Sequence, residues 1–408
     1  MAMRRVLHVW QSGYPWEVRV GKINRALIAR GVSVYVLARN RGQECKRERL
    51  TTQLRDSDAQ AVEDVIRVGG GGLLRPLSLP VPRNPVWLRA LHSAVEEIRP
   101  DLVIVRDIPL ALDAARAAHR SGVPIVLDMA EHYPAAMRSW DKYRRNAIAR
   151  MLVHRWKLPD GLERAAVPIM EGVLVVCEEQ RERLQRDYGI EAWRIDVVMN
   201  TPELETWRPL RRRVAAGRRS QAHERIVFGY HGILCEDRGL EDIIRGFDIA
   251  RRSDTRLALH IYGDGEAARD LRRLAYSLDA APAIYFSGPY SPGNLGGLYA
   301  ECDYGIVSLR RNTFTEHTVG NKFFDYAALG LPFVYADVPP LRRLMRTMRC
   351  GLAFRSGDIE SIAQAFLALP TQDRNELATN GIVAIDRELN WGVDSERLGA
   401  FLESVLVS

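Results

Sequence analysis

Apolar residues in this chain form short runs, which alternate with longer stretches where apolar positions recur every three or four residues. Short runs are typical of buried strands, and the longer period is typical of amphipathic helices. In the first half the runs predict strands at residues 6–10, 32–38, 65–68, 102–105, 125–128, 173–177 and 195–199. After a polar, arginine-rich connection at 211–225, further strands are predicted at 226–231, 257–262, 284–286, 304–308, 333–336 and 352–354.

Strands that alternate with helices in this way predict an α/β fold with mostly parallel sheets. Because the alternation starts twice, we expect two Rossmann-like domains, at residues 1–205 and 206–385. Ligands of such sheets bind beyond the carboxyl ends of the strands. A ligand site is therefore expected in a central cleft that both domains face.

Composition narrows the class of partner. The 408 residues suffice for two domains, and the net charge of +7 indicates an anionic partner, whether a nucleotide, a lipid headgroup or a nucleic acid. Five scattered cysteines without a Cys-x-x-Cys pair indicate neither a disulfide framework nor a zinc site, and they favour a reducing cytoplasm. We find no signal-peptide core and no apolar run near the ~20 residues of a spanning helix, so we expect a protein that is soluble or lies on a membrane surface.

Residues 313–334 predict a short helix that follows a glycine and precedes a strand. Asn321 stands where an N-cap belongs, and Gly330 ends the helix. Lys322 falls in the first turn, where the helix dipole is already positive, so an anion between the two charges would be favourable. This arrangement suits a phosphate, and Asp325 could accept hydrogen bonds from sugar hydroxyls. The alternative is a buried helix whose lysine and aspartate reach solvent.

The same stretch resembles the nucleotide-sugar-binding signature of the retaining glycosyltransferases of family 4, which have the GT-B fold. That signature reads roughly Asn-Lys-x-Phe-Glu-Tyr-x-Ala-x-Gly-x-Pro. It is matched here by Asn321, Lys322, Phe324, Asp325, Tyr326, Ala328, Gly330 and Pro332, with Asp in the place of Glu. The resemblance implies two Rossmann-like domains and a C-terminal helix, at residues 386–408, that crosses back to the first domain.

The resemblance also implies how the donor binds. The acidic residue, here Asp325, would hold the ribose, and the helix start with its preceding loop would bind the diphosphate. That loop is Thr318, Val319 and Gly320. Many members carry a glutamate eight residues before the ribose-binding acid, facing the donor sugar. His317 stands at that spacing and Glu316 is adjacent, so either residue could make the contact.

Other segments of the second domain extend the resemblance. Gly232 and Arg238 fill the glycine and second-cation positions of the family's Gly-Arg-x-x-x-x-Lys-Gly segment, whereas Ile233 takes the first-cation position. The expected neutralisation of the diphosphate therefore depends more on Arg238 and Lys322. The remaining donor-side matches are Gly263 and Gly265, which resemble the family's Gly-x-Gly, and Ser287 and Gly288, where the family encloses the base.

In the first domain, the loop after the first strand contains Gly13, which lets a ligand approach the backbone, and Tyr14. The family uses this loop to meet donor and acceptor, so we assign Gly13 to the donor side and Tyr14 to the acceptor side. Arg19 resembles an acceptor-side arginine that a subset of the family carries at the start of this helix. The alternative for Arg19 is a salt-bridged surface residue.

The strand at 125–128 is followed by Glu131 and His132, which resemble the family's Asp-x-His-Glu segment with changed order. Glu131 is expected to bind donor or acceptor hydroxyls or to act as a general base, and His132 is a second catalytic candidate. Helix capping and hydrogen bonding within the core are the alternatives. Asp56 and Asp58 form the Asp-x-Asp pattern of metal-dependent glycosyltransferases, but they fall in a polar loop, so we expect no metal.

Residues 143–157 predict a basic amphipathic helix. One face carries Ile148, Met151, Leu152 and Trp156, surrounded by arginines. Such a helix can lie on anionic lipid, and many family members act on lipid-linked acceptors at the cytoplasmic face of the membrane. The simpler interpretation is that the apolar face is the buried side of a surface helix.

The resemblance implies an enzyme that transfers a sugar from a UDP- or GDP-sugar to a hydroxyl acceptor, with retention of configuration and without a cofactor or metal. The family favours an acceptor from cell-envelope polysaccharide or glycolipid synthesis, and a cytoplasmic location that includes the membrane face. Arg238, Lys322 and the amides near Gly320 would stabilise the leaving diphosphate. Two alternatives stay open: a non-transferring GT-B enzyme such as a nucleotide-sugar epimerase, and a non-catalytic protein that binds a nucleotide or a nucleic acid. No nucleic-acid motif supports the last.

Overall fold

The computed structural model describes residues 3–14, 17–39, 47–48, 62–68, 81, 83–140, 143–144, 146–217, 225–290 and 294–407. The Asp-x-Asp pattern at residues 56–58 lies outside this part of the chain. By their internal contacts the residues form two compact units. Unit 1 is Met1–Met199 together with Ser395–Ser408, and unit 2 is Asn200–Asp394.

Within its described residues, unit 1 forms an eight-stranded sheet in the order β3-β4-β2-β1-β5-β6-β7-β8. Its pairs are parallel except β3 with β4. The strands are β1 Arg5–Trp10, β2 Ser33–Arg39, β3 Arg47–Glu48, β4 Asp64–Val68, β5 Leu102–Arg106, β6 Ile125–Met129, β7 Gly172–Val175 and β8 Ile195–Val197. The sequence predicted all of these except β3, which is too short to show a periodicity.

The helices of unit 1 cover the sheet. They are α1 Val18–Ala29, α2 Pro85–Ile98, α3 Ala111–Arg120, α4 Tyr133–Ser139, α5 Ala147–Arg150, α6 Leu158–Ala166 and α7 Glu178–Tyr188. Every residue of the central strands β5 and β6 is buried, as expected for parallel strands with helices on both faces. Because β1, β5 and β6 are parallel, their carboxyl ends lie at the same edge of the sheet.

Unit 2 forms a six-stranded parallel sheet in the order β11-β10-β9-β12-β13-β14 over its described residues. Its strands are β9 Ile226–His231, β10 Leu257–Tyr262, β11 Ile284–Gly288, β12 Tyr304–Val307, β13 Phe333–Ala336 and β14 Gly351–Phe354. Its helices are α8 Leu204–Gly217, α9 Leu240–Ser253, α10 Ala268–Tyr276, α11 Leu295–Ala300, α12 Asn321–Ala328, α13 Pro339–Met348, α14 Ile359–Ala368 and α15 Arg374–Arg387. The predicted α/β class is confirmed.

The last helix, α16 Trp391–Val405, ends in unit 1. Phe401 and Val405 pack against Gly172 in β7 so closely that a side chain at Gly172 would overlap both. Arg397 donates a hydrogen bond to the Val197 carbonyl at 2.9 Å. The final residues are therefore part of the core and the sheet edge of unit 1.

The basic helix predicted at residues 143–157 differs from the expected regular helix. An α-helical turn, Ala147–Arg150, passes into a π-helical turn, Met151–Arg155. Ile148, before the π turn, is 68% exposed, Trp156, after it, is 62% exposed, and Val153, within it, is buried. The wider π turn rotates the side chains that follow it, so Trp156 does not continue the face predicted with the α-helical period. The interpretation of this apolar face as a buried one is wrong. Across the described part of the chain, none of the helices has the length and apolar character needed to span a bilayer.

Candidate active site

Helix α12 opens without a side-chain cap. Gly320 is its N-cap, with extended backbone at φ −80° and ψ 145°, and Asn321 is already helical. The prediction of Asn321 as N-cap is therefore wrong by one residue. The Asn321 side chain instead accepts a hydrogen bond from Asn200 Nδ2 at 2.9 Å. Because Gly320 has no side chain to accept from the first amides, these N–H groups can bind an anion.

Lys322 lies half-buried in the first turn of α12. Its Nζ is 3.4 Å from the Tyr230 hydroxyl and 4.5 Å from the centroid of the Tyr230 ring. Burial, and after it the charge of Arg238, lowers the pKa of Lys322 to about 7. The ammonium is thus held in a place where its charge is costly unless an anion joins it.

The predicted glycines lie together beyond the carboxyl ends of neighbouring strands. Gly232 follows β9 and has φ +136°, and a side chain there would overlap the Lys322 ammonium. Gly263 follows β10 with φ +137°, and its N–H donates to the Gly288 carbonyl at 2.8 Å. A side chain at Gly263 would overlap the Gly232 carbonyl. Close approach of the Gly232 backbone therefore requires glycine at position 263, and at position 232 the positive φ favours glycine.

Arg238 supplies a second cation. It ends the 3-10 turn Glu236–Arg238, and its Nε is buried without a hydrogen bond to any described residue. Its effect on the pKa of Lys322 shows that the two positive charges are close. Ile233, at the position of the first cation in the family segment, is 55% exposed. Two like charges close together at an uncapped helix start would suit a multiply charged anion.

Asp325 is half-buried one turn after Lys322. Its charge raises the pKa of Lys322 and the pKa of the Tyr290 and Tyr299 hydroxyls, although burial is the larger cause for both tyrosines. The carboxylate therefore borders the same site, on the side of β11. Also on this side, Ser287 is exposed and its hydroxyl donates to the Gly288 carbonyl at 3.1 Å. Gly265, with φ +159°, packs against the Leu234 backbone.

The segment before α12 contains Glu316 and His317, the two candidates for contact with the donor sugar. Their side chains have different hydrogen-bond partners. Glu316 accepts a hydrogen bond from Arg311 Nε at 2.7 Å. His317 Nδ1 donates to the Thr313 carbonyl at 2.8 Å, because a carbonyl can only accept. A histidine ring with its only proton on Nδ1 presents Nε2 as an acceptor. Thr318 is extended and half-buried, and Val319 is buried.

A second polar group lies at the carboxyl edge of the sheet in unit 1. Arg19 is 1% exposed, and its Nε and Nη2 donate to the Asp128 carboxylate at 2.7–3.0 Å. Its Nη1 donates to the Val198 carbonyl at 2.8 Å. The interpretation of Arg19 as a surface residue is wrong, whereas its salt bridge is present. The buried Arg19 guanidinium fixes the end of β6.

The sequence reading missed Arg106 and Asp107, which follow the apolar run of β5. Arg106 Nη1 donates to Asp128 Oδ2 at 3.1 Å, and Arg106 Nη2 to Glu17 Oε1 at 3.3 Å. Asp107 has φ +60°, which is uncommon outside glycine, and its N–H donates to the Asp128 carbonyl at 3.0 Å. Burial, opposed by Arg106 and reinforced by Glu131, raises the pKa of Asp107 to about 7. A charged pair directly after a fully apolar run is the signal that could have revealed them.

Glu131 is half-buried beside this group, and its charge acts on both Arg106 and Asp107. His132 is buried and is the N-cap residue of α4, but its side chain makes no capping hydrogen bond. Helix capping by the His132 side chain, one of the alternatives, is therefore wrong. The structure brings Glu131, Asp107 and Arg106 together as a cluster of acid–base groups at one sheet edge.

The loop after β1 reaches the same edge. Gln11 Nε2 donates to the Tyr133 hydroxyl at 3.0 Å, and the Gly13 carbonyl accepts from Trp10 Nε1 at 3.1 Å. Tyr14 is 5% exposed, with its hydroxyl 3.4 Å from Asn24 Nδ2. Its ring thus belongs to the core of unit 1. Within the described ranges, no group of three or more His, Cys, Asp and Glu side chains could hold a metal ion.

Comparisons with known proteins agree with this geometry. The family described as Glycosyltransferase Family 4 matches residues 17–206, and the one described as Glycosyl transferases group 1 matches residues 225–372. Adjacent matches of this extent, on two parallel-sheet units, define a glycosyltransferase of the GT-B fold. The chain belongs to the family 4, group 1 type of these enzymes.

Solved structures share the whole fold at low identity. HepE from Anabaena, solved in complex with UDP, is 14% identical, with 98% of this chain and 100% of that chain covered and a TM-score of 0.69. Sucrose-phosphate synthase from Thermosynechococcus elongatus is also 14% identical, with 99% of both chains covered and a TM-score of 0.73. WaaG, a glycosyltransferase involved in lipopolysaccharide biosynthesis, is 14% identical over 97% of this chain and 99% of its own, with a TM-score of 0.64. No curated protein sequence matches the chain.

Proposed function

We propose that this glycosyltransferase transfers a sugar from a UDP-sugar to a hydroxyl acceptor, with retention of anomeric configuration and without a metal ion. The observation that carries the proposal is the pair of cations, Lys322 and Arg238, held together at the uncapped start of α12. Similar structures were solved with UDP and with UDP-glucose, which favours uridine among the nucleotides. The GDP-sugar named from the sequence remains the alternative donor.

The arrangement suits departure of a diphosphate. Negative charge develops on the leaving oxygens, and fixed donors and cations that are already in place stabilise it without reorganisation. Lys322, Arg238 and the amides after Gly320 are such groups. Two protein cations can neutralise a diphosphate, which is the task that a divalent metal performs in other sites. Asp325 beside Lys322 is placed to accept hydrogen bonds from ribose hydroxyls.

On the acceptor side we propose that Asp107 and Glu131 share the acid–base role expected of Glu131. Both are carboxyls at the carboxyl edge of the sheet in unit 1, and the charge of Glu131 raises the pKa of Asp107 by like-charge repulsion. A carboxyl whose pKa lies near 7 can take a proton from an acceptor hydroxyl at neutral pH. His132, buried next to Glu131, is proposed as a residue that positions it.

We further propose an acceptor linked to lipid, from cell-envelope polysaccharide or glycolipid synthesis. The support is a surface of unit 1, here called the basic apolar surface, where large apolar side chains reach solvent among cations. It consists of Ile148, Met151, Trp156, Leu158, Arg150, Arg155 and Lys157. Such a surface fits an anionic bilayer, where apolar side chains enter the headgroup region and cations meet lipid phosphates. The similar WaaG and WaaB structures are named for lipopolysaccharide synthesis.

The donor site is tested by the substitution Lys322→Ala. Loss of a charge-assisted contact to the leaving group should reduce release of UDP from UDP-glucose by ~10² or more. UDP at 100 times its dissociation constant should stabilise the wild-type protein by ~2.7 kcal/mol, with or without EDTA, and the variant should lose most of this shift. The product's anomeric configuration, read by NMR, tests retention.

Arg346→Ala is the matched control, since Arg346 is an exposed cation of unit 2 at the end of α13. It should behave as wild type. The melting temperature of the unliganded variants shows whether they fold. Wild-type turnover by a folded Lys322→Ala variant would overturn the proposed donor site.

A further inference from the structure

Unit 2 contains a cavity of about 400 Å³ away from the glycines that line the donor site. It lies by Leu257, Ala258 and Ile284, which begin β10 and β11, whereas Gly263 and Gly288 are at the other ends of these strands. The side chains that give it chemical character are Arg225, Arg251, His260, Tyr285 and Glu301. Because β10 and β11 are parallel, this cavity and the donor site are at opposite edges of the sheet.

A hydrogen-bonded chain fixes the acceptors in the cavity. The Tyr262 hydroxyl donates to Glu301 Oε2 at 2.8 Å, so its oxygen must accept from His260 Nδ1 at 2.9 Å. The proton on Nδ1 makes Nε2 of the neutral ring an acceptor. Burial lowers the pKa of His260, so the ring is neutral at pH 7. His260 and Glu301 therefore offer oriented acceptors, which suit ligand hydroxyls.

The other side chains provide cations and an aromatic face. Arg225 is exposed, and its charge reaches His260. Arg251 Nη1 donates to the Thr255 carbonyl at 2.6 Å, which holds its guanidinium in place. Two guanidinium groups at one cavity favour a phosphate or carboxylate. The Tyr285 ring is 53% exposed and 5.4 Å from the His260 ring, so it provides a flat apolar surface for a sugar ring.

We infer that this cavity is a second ligand site, for a small polyhydroxylated anion such as a sugar phosphate. Acceptors for hydroxyls, cations for the anionic group and an aromatic face for the ring occur together in a space of suitable volume. The site is separate from the donor site, at the opposite edge of the sheet. Packing nonetheless connects the two sites. The Tyr262 ring stacks on His231 with 4.7 Å between the ring centroids, and His231 Nδ1 is 3.3 Å from the hydroxyl of Tyr326 in α12.

The inference is tested by titration calorimetry on the full chain with mannose 6-phosphate as probe. Mannose and inorganic phosphate are titrated separately, since the inference requires both chemical parts. Wild type should bind the sugar phosphate at least about tenfold more tightly than either part. Tyr285→Ala and Glu301→Gln should each weaken binding by about tenfold, because each removes one of the recognition elements.

The controls separate this site from the donor site. Tyr276→Ala removes a tyrosine of the same unit that is 78% exposed outside the cavity, and it should bind the probe as wild type does. Lys322→Ala should also keep full affinity, and saturating UDP should not displace the probe. The inference is overturned if wild type fails to bind mannose 6-phosphate, or if mannose or phosphate alone binds equally well. It is also overturned if folded Tyr285→Ala keeps wild-type affinity. Loss of binding in the presence of UDP or in Lys322→Ala would show that the probe occupies the donor site instead.

Discussion

Lys322 belongs to helix α12 and is also a proposed donor-binding residue. The signature around it could be recognised in the sequence because all of its positions fall within a single helix and the turn after it. The N-cap was misplaced by one residue because the backbone angles of Gly320, not a side chain, decide where the helix begins. The surface alternative for Arg19 was wrong because its partner Asp128 is 109 positions away along the chain, and no local pattern records such a pairing.

The lowered pKa of Lys322 predicts a pH dependence of donor binding. A bound diphosphate favours the charged ammonium, so UDP affinity should be highest below pH about 7 and fall by up to about tenfold per unit above it. In the absence of ligand, the lowered pKa of Lys322 affects the stability of the folded protein with the opposite pH dependence. Between pH 7 and the ordinary lysine pKa of 10.5, the unfolded chain holds a proton that the folded one has lost, so this group's contribution to stability rises with pH.

Titration of UDP between pH 6 and pH 9 measures this effect. Lys322→Arg is the control, because an arginine stays charged throughout this range and should remove the pH dependence. Equal slopes for wild type and Lys322→Arg would show that the ionisation of Lys322 is not linked to donor binding.

Asp107 supports a second prediction at the scale of one residue. Between the ordinary aspartate pKa and about 7, the folded chain holds a proton on Asp107 that the unfolded chain has lost. The contribution of Asp107 to stability therefore falls as pH rises through this window. Asn tolerates φ +60° as Asp does, so Asp107→Asn should fold, and its stability should decline less than that of wild type between pH 5 and pH 8.

Thermal unfolding of both proteins at several pH values measures this difference. Asp101→Asn is a control at the other end of β5, where the Asp101 carboxylate accepts hydrogen bonds from the amides of Arg4 and Arg5 near the surface. It should leave the pH trend of the wild type unchanged. If Asp107→Asn reproduces the wild-type trend, Asp107 is ionised in the folded protein throughout this range.

At the scale of elements, the strands could be predicted from the sequence and the basic helix could not. The central predicted strands are apolar runs whose burial follows from a parallel sheet with helices on both faces, whereas the edge strands β11 and β14 of unit 2 are partly exposed. The π turn at Met151–Arg155 leaves no trace in a pattern read with the α-helical period. An interpretation based on that period therefore placed Trp156 on the same helical face as Ile148.

The exposure of these side chains predicts binding to membranes. Full-length protein should sediment with vesicles of phosphatidylglycerol and phosphatidylcholine more than with vesicles of phosphatidylcholine alone, because both apolar insertion and charge contribute. Trp156→Ala should reduce this binding severalfold. Trp193→Ala, which removes a tryptophan of unit 1 that is 58% exposed outside the basic apolar surface, should not. Equal loss in both variants would contradict a specific docking surface.

At the scale of the whole molecule, two α/β units and a returning helix could be expected from the sequence, and the family matches support the transferase over the non-transferring and non-catalytic alternatives. The cluster of Arg106, Asp107 and Glu131 could not be predicted from the sequence. Its members come from different strands, and the burial that sets their pKa values arises only when the sheet has formed.

The returning helix gives a prediction for the intact chain. Removal of Ser395–Ser408 would uncover the surface of β7 at Gly172, where Phe401 and Val405 pack. Loss of the buried Phe401 side chain alone should destabilise unit 1 by ~3 kcal/mol or more. Calorimetry should show a lower melting temperature for unit 1. An unchanged thermogram would mean that the last helix contributes little to the unit.

The same connectivity constrains how the protein is made. The ribosome releases the last strand of the first sheet long before it has synthesised Phe401, since all of Asn200–Asp394 lies between them. During that interval the newly made unit 1 has an uncovered apolar strip, whereas unit 2 has its complete sheet as soon as its own residues emerge. Nascent chains stalled near residue 394 should therefore bind holdase chaperones, and chains released after the final helix should not.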